Sequence, residues 1–142
     1  MSEPTEQEIA AVSTAPRVTQ ADIEANIVSE VFFTGKEILD GLDEGWPSEI
    51  YGAGKSVKKA EAALKLLTFC VLVLRNGFTV TGESAYASPK NFDPEIGRRV
   101  ARDNAVQKMW PLMGYALKQD LHRIDELAKA GMLPPGPYEQ TR

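Results

Sequence analysis

Between Lys55 and Leu117 the apolar residues change period several times, and each change predicts a new element. From Lys55 to Leu66, Val57, Ala60, Ala63 and Leu64 share one side of a helix, with Lys55, Lys58, Lys59 and Lys65 outside it. Leu67 to Leu74 then reads as a strand, and Asn76-Gly77 is a strong two-residue hairpin signal. Phe78 to Ser84 returns as the second strand. A two-residue turn sets Arg75 opposite Phe78, Val73 opposite Val80 and Val71 opposite Gly82. One face then carries Phe69, Val71, Val73, Phe78 and Val80. The other carries Cys70, Leu72 and Leu74 against Thr79, Thr81 and Glu83. The first strand is apolar on both faces, a pattern that calls for cover on both sides. Gly82, in mid-strand, predicts a bulge or a close backbone approach.

A capped helix follows. Asp93 is a good N-cap, Pro94 suits the first helical position and Glu95 complements the helix dipole. Gly97, Ala101 and Ala105 form a small-residue stripe that permits close packing on the hairpin or on another helix. Pro111 is predicted to break or kink the helix near Met109, biasing Trp110 away from helical geometry. A last helix is expected from Leu112 to Ala130, closed by Gly131 at C′. Upstream, Thr19-Gln20-Ala21-Asp22 resembles a capping box, and Ile23, Ile27, Val28 and Val31 recur at helical spacing. Val31-Phe32-Phe33 either ends that helix or forms a small strand. Glycines and Trp46-Pro47 punctuate a mostly irregular stretch up to Gly54.

These readings predict an α+β fold, a small antiparallel hairpin or sheet packed with an N-terminal helix and two C-terminal helices. The chain is expected to be one domain over 18–131. Residues 1–17 are expected to form a disordered tail and 132–142 an extended Pro-rich tail. A strand apolar on both faces and a long final helix need more cover than so short a chain easily supplies, which predicts a homo-oligomer.

Composition narrows the chemistry. The chain has 142 residues, of which 43% are hydrophobic, enough for a modest core. The longest apolar run is too short to span a bilayer, so no membrane association is expected. The first residues lack the basic and apolar regions of a secretory signal. Cys70 is the single cysteine and His122 the single histidine, which excludes an internal disulfide and argues against a structural zinc site; neither metal nor cofactor is expected. Charge is uneven. Residues 1–50 hold eleven acids and two bases, whereas residues 51–130 hold thirteen bases and eight acids. The basic portion can meet an anion, or it can simply face the acidic front.

Several residues invite a chemical reading. Gly52-Ala53-Gly54-Lys55-Ser56 ends like a phosphate loop, but Glu49 stands where the first glycine is required, and a turn into a basic helix explains it better. His122 lacks a sequence partner for acid–base work, and Cys70, in mid-strand, reads as a buried thiol. No convergent catalytic set emerges, so a non-enzymatic role is expected. The best ligand-binding candidates are Asn91, Phe92, Arg98 and Arg102, where the arginines share a helix face and Phe92 can stack on a base. The alternative for the arginines is solvated helix surface, and for Asn91 an Asx turn. A nucleic-acid-binding surface of Lys55, Lys58, Lys59, Arg98, Arg99 and Arg102 is the competing reading.

Three stretches together resemble a family of small tailed-phage proteins known by its podophage members as gene product 49 and gene product 66. They are Leu67 to Ala85, Asn91 to Arg98, and Asn104-Ala105 with Lys108 to Leu112 and Gly114-Tyr115. A weaker echo lies at Ile27 to Thr34, and the family-like core covers 65–118. Tyr86 stands where many members have cysteine, and Met113 where many have glutamate. The resemblance implies a phage or prophage product made in the host cytoplasm and implies no particular activity. By analogy of plan, it is similar to oligomeric phage proteins that sequester nucleotide signals. A host protein or a nucleotide-like ligand is therefore an expected partner, with nucleic acid or a place in the virion as alternatives.

Overall fold

The computed structural model describes residue 5, residues 15–41 and residues 57–132. Expectations for most of 1–17, for the irregular stretch after Gly41, for the Gly-Lys-Ser segment with Lys55, and for the Pro-rich tail lie outside the described residues. The chain divides into two compact units, one spanning 27–108 and one drawn from 1–26 and 109–142.

The central unit is a three-stranded antiparallel sheet in the order β1-β2-β3, with β1 at Ile27–Thr34, β2 at Leu67–Leu74 and β3 at Thr79–Ala85. Sequence periodicity had extended the N-terminal helix to Val31, but α1 covers only Gln20–Asn26. From Ile27 the chain is a strand paired with β2, Val31 opposite Val71 and Phe33 opposite Phe69. β-Branched and aromatic residues fill Ile27–Thr34, and a partner strand turns that weak preference into structure. A short helix that the sequence did not announce, α2 (Gly35–Asp40), follows at once. Its capping box joins Thr34 and Glu37, with Glu37 N donating to Thr34 Oγ1 at 3.1 Å. Helix α3 runs over Val57–Leu64.

The hairpin forms, but its register differs by one residue from the two-residue-turn expectation. Leu74 N donates to Phe78 O at 2.8 Å and Gly77 N to Leu74 O at 2.9 Å, so Arg75, Asn76 and Gly77 together make a three-residue loop. Gly77 adopts φ +86°, the left-handed conformation that closes such loops. Leu72 therefore opposes Val80, and Cys70 opposes Gly82. Because side chains alternate along a strand, the shift moves Val80 to the other face. The buried face is Thr68, Cys70, Leu72 and Leu74 with Val80, Gly82 and Ser84, whereas Phe69, Val71 and Val73 are half-buried. Phe33 and Phe69 stack on that second face with ring centres 5.3 Å apart.

Helix α4 (Pro94–Lys129) covers the buried face with its first turns. Asp93 caps it as expected, accepting from Glu95 N at 3.0 Å and Ile96 N at 3.3 Å. The small-residue stripe and Gly82 explain each other: a Cβ on Gly82 would strike the Ala101 carbonyl oxygen and the Ala105 amide and lie 2.9 Å from Ala105 Cα. Ala101 and Ala105 are fully buried. Ser84 Oγ donates to Gly97 O at 2.8 Å, which ties strand to helix backbone. Beside it the buried Thr68 Oγ1 has no hydrogen-bond partner among the described residues. Thr68→Val keeps the shape and removes that unmatched hydroxyl, so chemical denaturation is expected to show stability equal to the parent or higher by about 1 kcal/mol.

Two C-terminal helices were expected, and the structure has one, continuous through Pro111. An interior proline costs about 3 kcal/mol by losing a bond and crowding the preceding turn. Ending there would leave a full set of unpaired carbonyls and then require a new nucleus. Ala101, Arg102, Gln107, Lys108 and Met109 before Pro111, and Leu112, Met113, Ala116 and Leu117 after it, favour helix, so propagation wins.

The described part of the other unit comprises 15–26 and 109–132. Thr19 and Asp22 form the expected reciprocal cap, with Thr19 N donating to Asp22 Oδ2 at 2.9 Å and Asp22 N to Thr19 Oγ1 at 3.1 Å. Ile23 is fully buried, and Asn26 Nδ2 donates to Met113 Sδ at 3.5 Å. At the end of α4, Gly131 takes φ +72° and Met132 N donates to Leu127 O at 2.8 Å, the closure expected of a C′ glycine.

Candidate ligand-binding site

The turn between β3 and α4 places one aromatic ring among lysines from distant parts of the sequence. Ser88 caps a single 3-10 turn at Pro89–Asn91, and Phe92 N donates to Pro89 O at 3.3 Å. Tyr86 holds the far side of this loop: its hydroxyl donates to Asp93 O at 2.9 Å, and its ring meets Phe92 edge-on at 5.3 Å. The backbone N–H of Tyr86 donates to Leu66 O at 3.1 Å, which extends the hairpin one step and brings the loop to the end of α3. Through its hydroxyl bond and its ring contact, Tyr86 holds Phe92 in place.

Phe92 and Pro89 line a cavity of about 380 Å³ with Leu66 and Ala62, ringed by Lys36, Lys58, Lys65 and Glu61. That volume suits a small organic molecule. Lys58 lies in α3 and Lys65 in the turn that ends it, with Lys65 N still donating to Glu61 O at 3.2 Å, so the two stand seven residues and about two turns apart. Lys36 comes from α2 and bonds Asp40 at 2.6 Å. That hydrogen bond, and then the charge of Asp40, push the lysine pKa upward, so it stays charged. Three lysines, one of them already paired with Asp40, against one lining carboxylate and beside apolar side chains fit a ligand with an anionic end and a flat apolar end.

Of the four residues singled out as ligand-binding, Phe92 alone lines this cavity. Asn91 and Arg98 are exposed. Arg102 is engaged elsewhere: its Nε and Nη2 donate to Glu30 Oε1 at 2.7 and 2.6 Å, tying α4 to β1. Of the alternative basic set, Lys58 lines the cavity, while Lys59 and Arg99 are exposed and are not among its lining residues. Lys36, Lys65, Glu61 and Pro89 were missed. The seven-residue spacing of Lys58 and Lys65 was visible in the sequence, but their meeting with Lys36 and Phe92 depends on tertiary structure.

The other groups flagged for chemistry sit apart from this cavity. Cys70 is buried, and burial, followed by the nearby charge of Glu30, raises its thiol pKa against a smaller lowering by Arg102. Such a thiol is a poor nucleophile. His122 is exposed on α4. Among the described residues no group of three His, Cys, Asp or Glu side chains is placed to hold a metal ion. No described helix is long and apolar enough to cross a membrane.

Fold and site together define a small α+β protein, a three-stranded antiparallel sheet backed by the first turns of a long helix, with a lysine-ringed cavity beside the sheet. Residues 18–121 match the phage protein (N4 Gp49/phage Sf6 gene 66) family, and the chain belongs to that family. Nothing matches the chain among curated proteins or among solved structures.

Proposed function

We propose that this phage protein is a non-enzymatic accessory factor. In this reading it acts in the host cytoplasm and binds a small anionic, nucleotide-like ligand in the cavity between Phe92 and the lysines. The observation that carries this reading is the convergence of Lys36, Lys58 and Lys65 on an apolar cavity floored by an aromatic ring. Lysines supply point charges for a phosphate, and Phe92 supplies a face or edge for a base. Among the described residues, the cavity lining contains one carboxylate and no histidine, cysteine or serine, which supports binding without turnover.

Titration calorimetry with AMP, adenosine and inorganic phosphate tests the reading. AMP is expected to bind saturably and more tightly than either fragment. Lys58→Glu with Lys65→Glu is expected to weaken AMP by about tenfold or more, and Phe92→Ala by a smaller factor. An AMP isotherm unchanged in the charge-reversed protein would sink the proposal. Tight binding of single-stranded DNA that falls steeply with salt would instead favour the basic surface as a nucleic-acid site.

A further inference from the structure

The two edges of the sheet are finished differently. Backbone bonds from Leu74 N to Phe78 O and from Tyr86 N to Leu66 O place the β2–β3 hydrogen bonds on even-numbered residues. Odd-numbered residues of β3 therefore turn their backbone groups outward. Two side chains of α4 meet them: Asn104 Nδ2 donates to Glu83 O at 2.8 Å, and Lys108 Nζ donates to Thr81 O at 2.6 Å. The β3 edge is thus closed by the protein itself.

Among the described residues, the β1 edge has no such closure. By the same alternation, β2 bonds β1 at Ser29, Val31 and Phe33, which oppose Val73, Val71 and Phe69. Val28, Glu30, Phe32 and Thr34 turn their backbone groups outward. The Thr34 N–H is taken by Glu37 Oε2 at 3.3 Å. Among the described residues, none bonds the outward N–H and C=O of Val28, Glu30 or Phe32. Val28 is 56% exposed and Val31 49%. An edge with free backbone groups and exposed apolar side chains is a template for another strand.

The strand that fits best is the same strand of a second copy. The register shift between Ile27 and Ser29 limits pairing at one end, and the Thr34–Glu37 cap limits it at the other. The stretch between is 29–33, centred on Val31. We propose that the protein dimerises by antiparallel pairing of β1 with β1 of a second copy, about a two-fold axis through Val31, to make one continuous sheet. Glu30 then exchanges backbone hydrogen bonds with Phe32 of the second copy, and Phe32 with its Glu30. The register also suits the charges. Glu30 is the one charged residue of the strand and is already matched by Arg102 at 2.6 Å. Centring on Val31 sets Glu30 opposite phenylalanine, whereas centring on Glu30 would set two carboxylates face to face. On the open face, Val31, Phe33, Phe69, Val71 and Val73 would join the same stripe of the second copy, covering apolar surface that one chain leaves half-exposed. The proposal is independent of the anion cavity.

Size-exclusion chromatography with light scattering on the full chain at micromolar concentration tests it. The parent is expected to be a dimer. Val31→Lys places two ammonium groups on the axis and is expected to weaken the dimer by at least about 100-fold, with the circular dichroism spectrum kept. Val31→Cys is expected to give a disulfide-linked dimer under mild oxidation, and Thr79→Cys on the closed edge is not. Should Val31→Lys fail to fold, the two cysteine variants decide. A monomeric parent, a dimer that survives Val31→Lys, or equal crosslinking from positions 31 and 79 would each overturn the proposal.

Discussion

Gly82→Ala is expected to lower stability by about 3 kcal/mol and the melting temperature by about 10 °C, one of the largest effects of any single-atom addition to this chain. The reason is geometric. The added Cβ would meet the Ala101 carbonyl oxygen and the Ala105 amide and lie 2.9 Å from Ala105 Cα. These are backbone atoms of α4, so no rotamer change can move them away. The helix would have to withdraw from the sheet and loosen the Asn104 and Lys108 bonds to β3. Two features make the measurement discriminating. Alanine normally favours a strand over glycine by roughly 0.5–1 kcal/mol, so the expected sign runs against propensity. Shortening the helix side chains by Ala101→Gly or Ala105→Gly should not restore stability, because those side chains are not the obstruction. Thermal and urea denaturation of the three single variants and the two double variants would decide. A stable Gly82→Ala protein would mean that helix and strand do not approach as closely as described.

Leu72→Ala is expected to cost about 3 kcal/mol, whereas Val71→Ala, one residue away, should cost about 1 kcal/mol. Leu72 is fully buried beneath α4, while Val71 belongs to the half-buried face. A double-mutant cycle reads the register directly. Leu72 and Val80 are cross-strand partners, so their alanine substitutions should be coupled by about 0.5 kcal/mol or more. The two-residue-turn register makes Val73 and Val80 partners instead. Coupling of Val73 with Val80, and none of Leu72 with Val80, would restore that register.

That one-residue difference shows where local signals stop deciding. Asn76-Gly77 correctly marks the hairpin, but the same dipeptide serves a two-residue turn or the end of a three-residue loop. The two choices differ in which face of β2 and β3 becomes core. An apolar pattern on both faces of β2 could not break the tie, because Phe69, Val71 and Val73 are as hydrophobic as Cys70, Leu72 and Leu74. The choice falls where Gly82 and Ser84 meet Gly97, Ala101 and Ala105, a match between distant segments. The N-terminal half shows the same limit. Ile23, Ile27, Val28 and Val31 satisfy a helical period, yet the residues from Ile27 onward pair with β2, since an available partner strand outweighs a few tenths of a kcal/mol in propensity.

The candidate site divides in the same way. Phe92 and Lys58 were visible as an aromatic and a basic residue suited to an anion. Arg102 looked equally suited, but its guanidinium is committed to Glu30 across the sheet. Lys36 and Pro89 carried no local mark that set them apart from other surface residues, and Lys65 was visible only as one lysine on the outer side of a basic helix.

Taken alone, the sequence determined the elements whose causes lie within a few residues. The Thr19–Asp22 and Asp93 caps, the Gly131 stop, the hairpin, the extent of β2 and the small-residue stripe of α4 are all of this kind, because capping and turn chemistry act over a single turn of chain. Tertiary structure alone decided the hairpin register, the conversion of Ile27–Thr34 to a strand and the gathering of lysines around Phe92, while the passage of α4 through Pro111 followed from helix propagation on both sides of it. Each of these weighs a local preference of a few kcal/mol or less against contacts or hydrogen bonding that arise only once distant segments, or a whole helix, are in place.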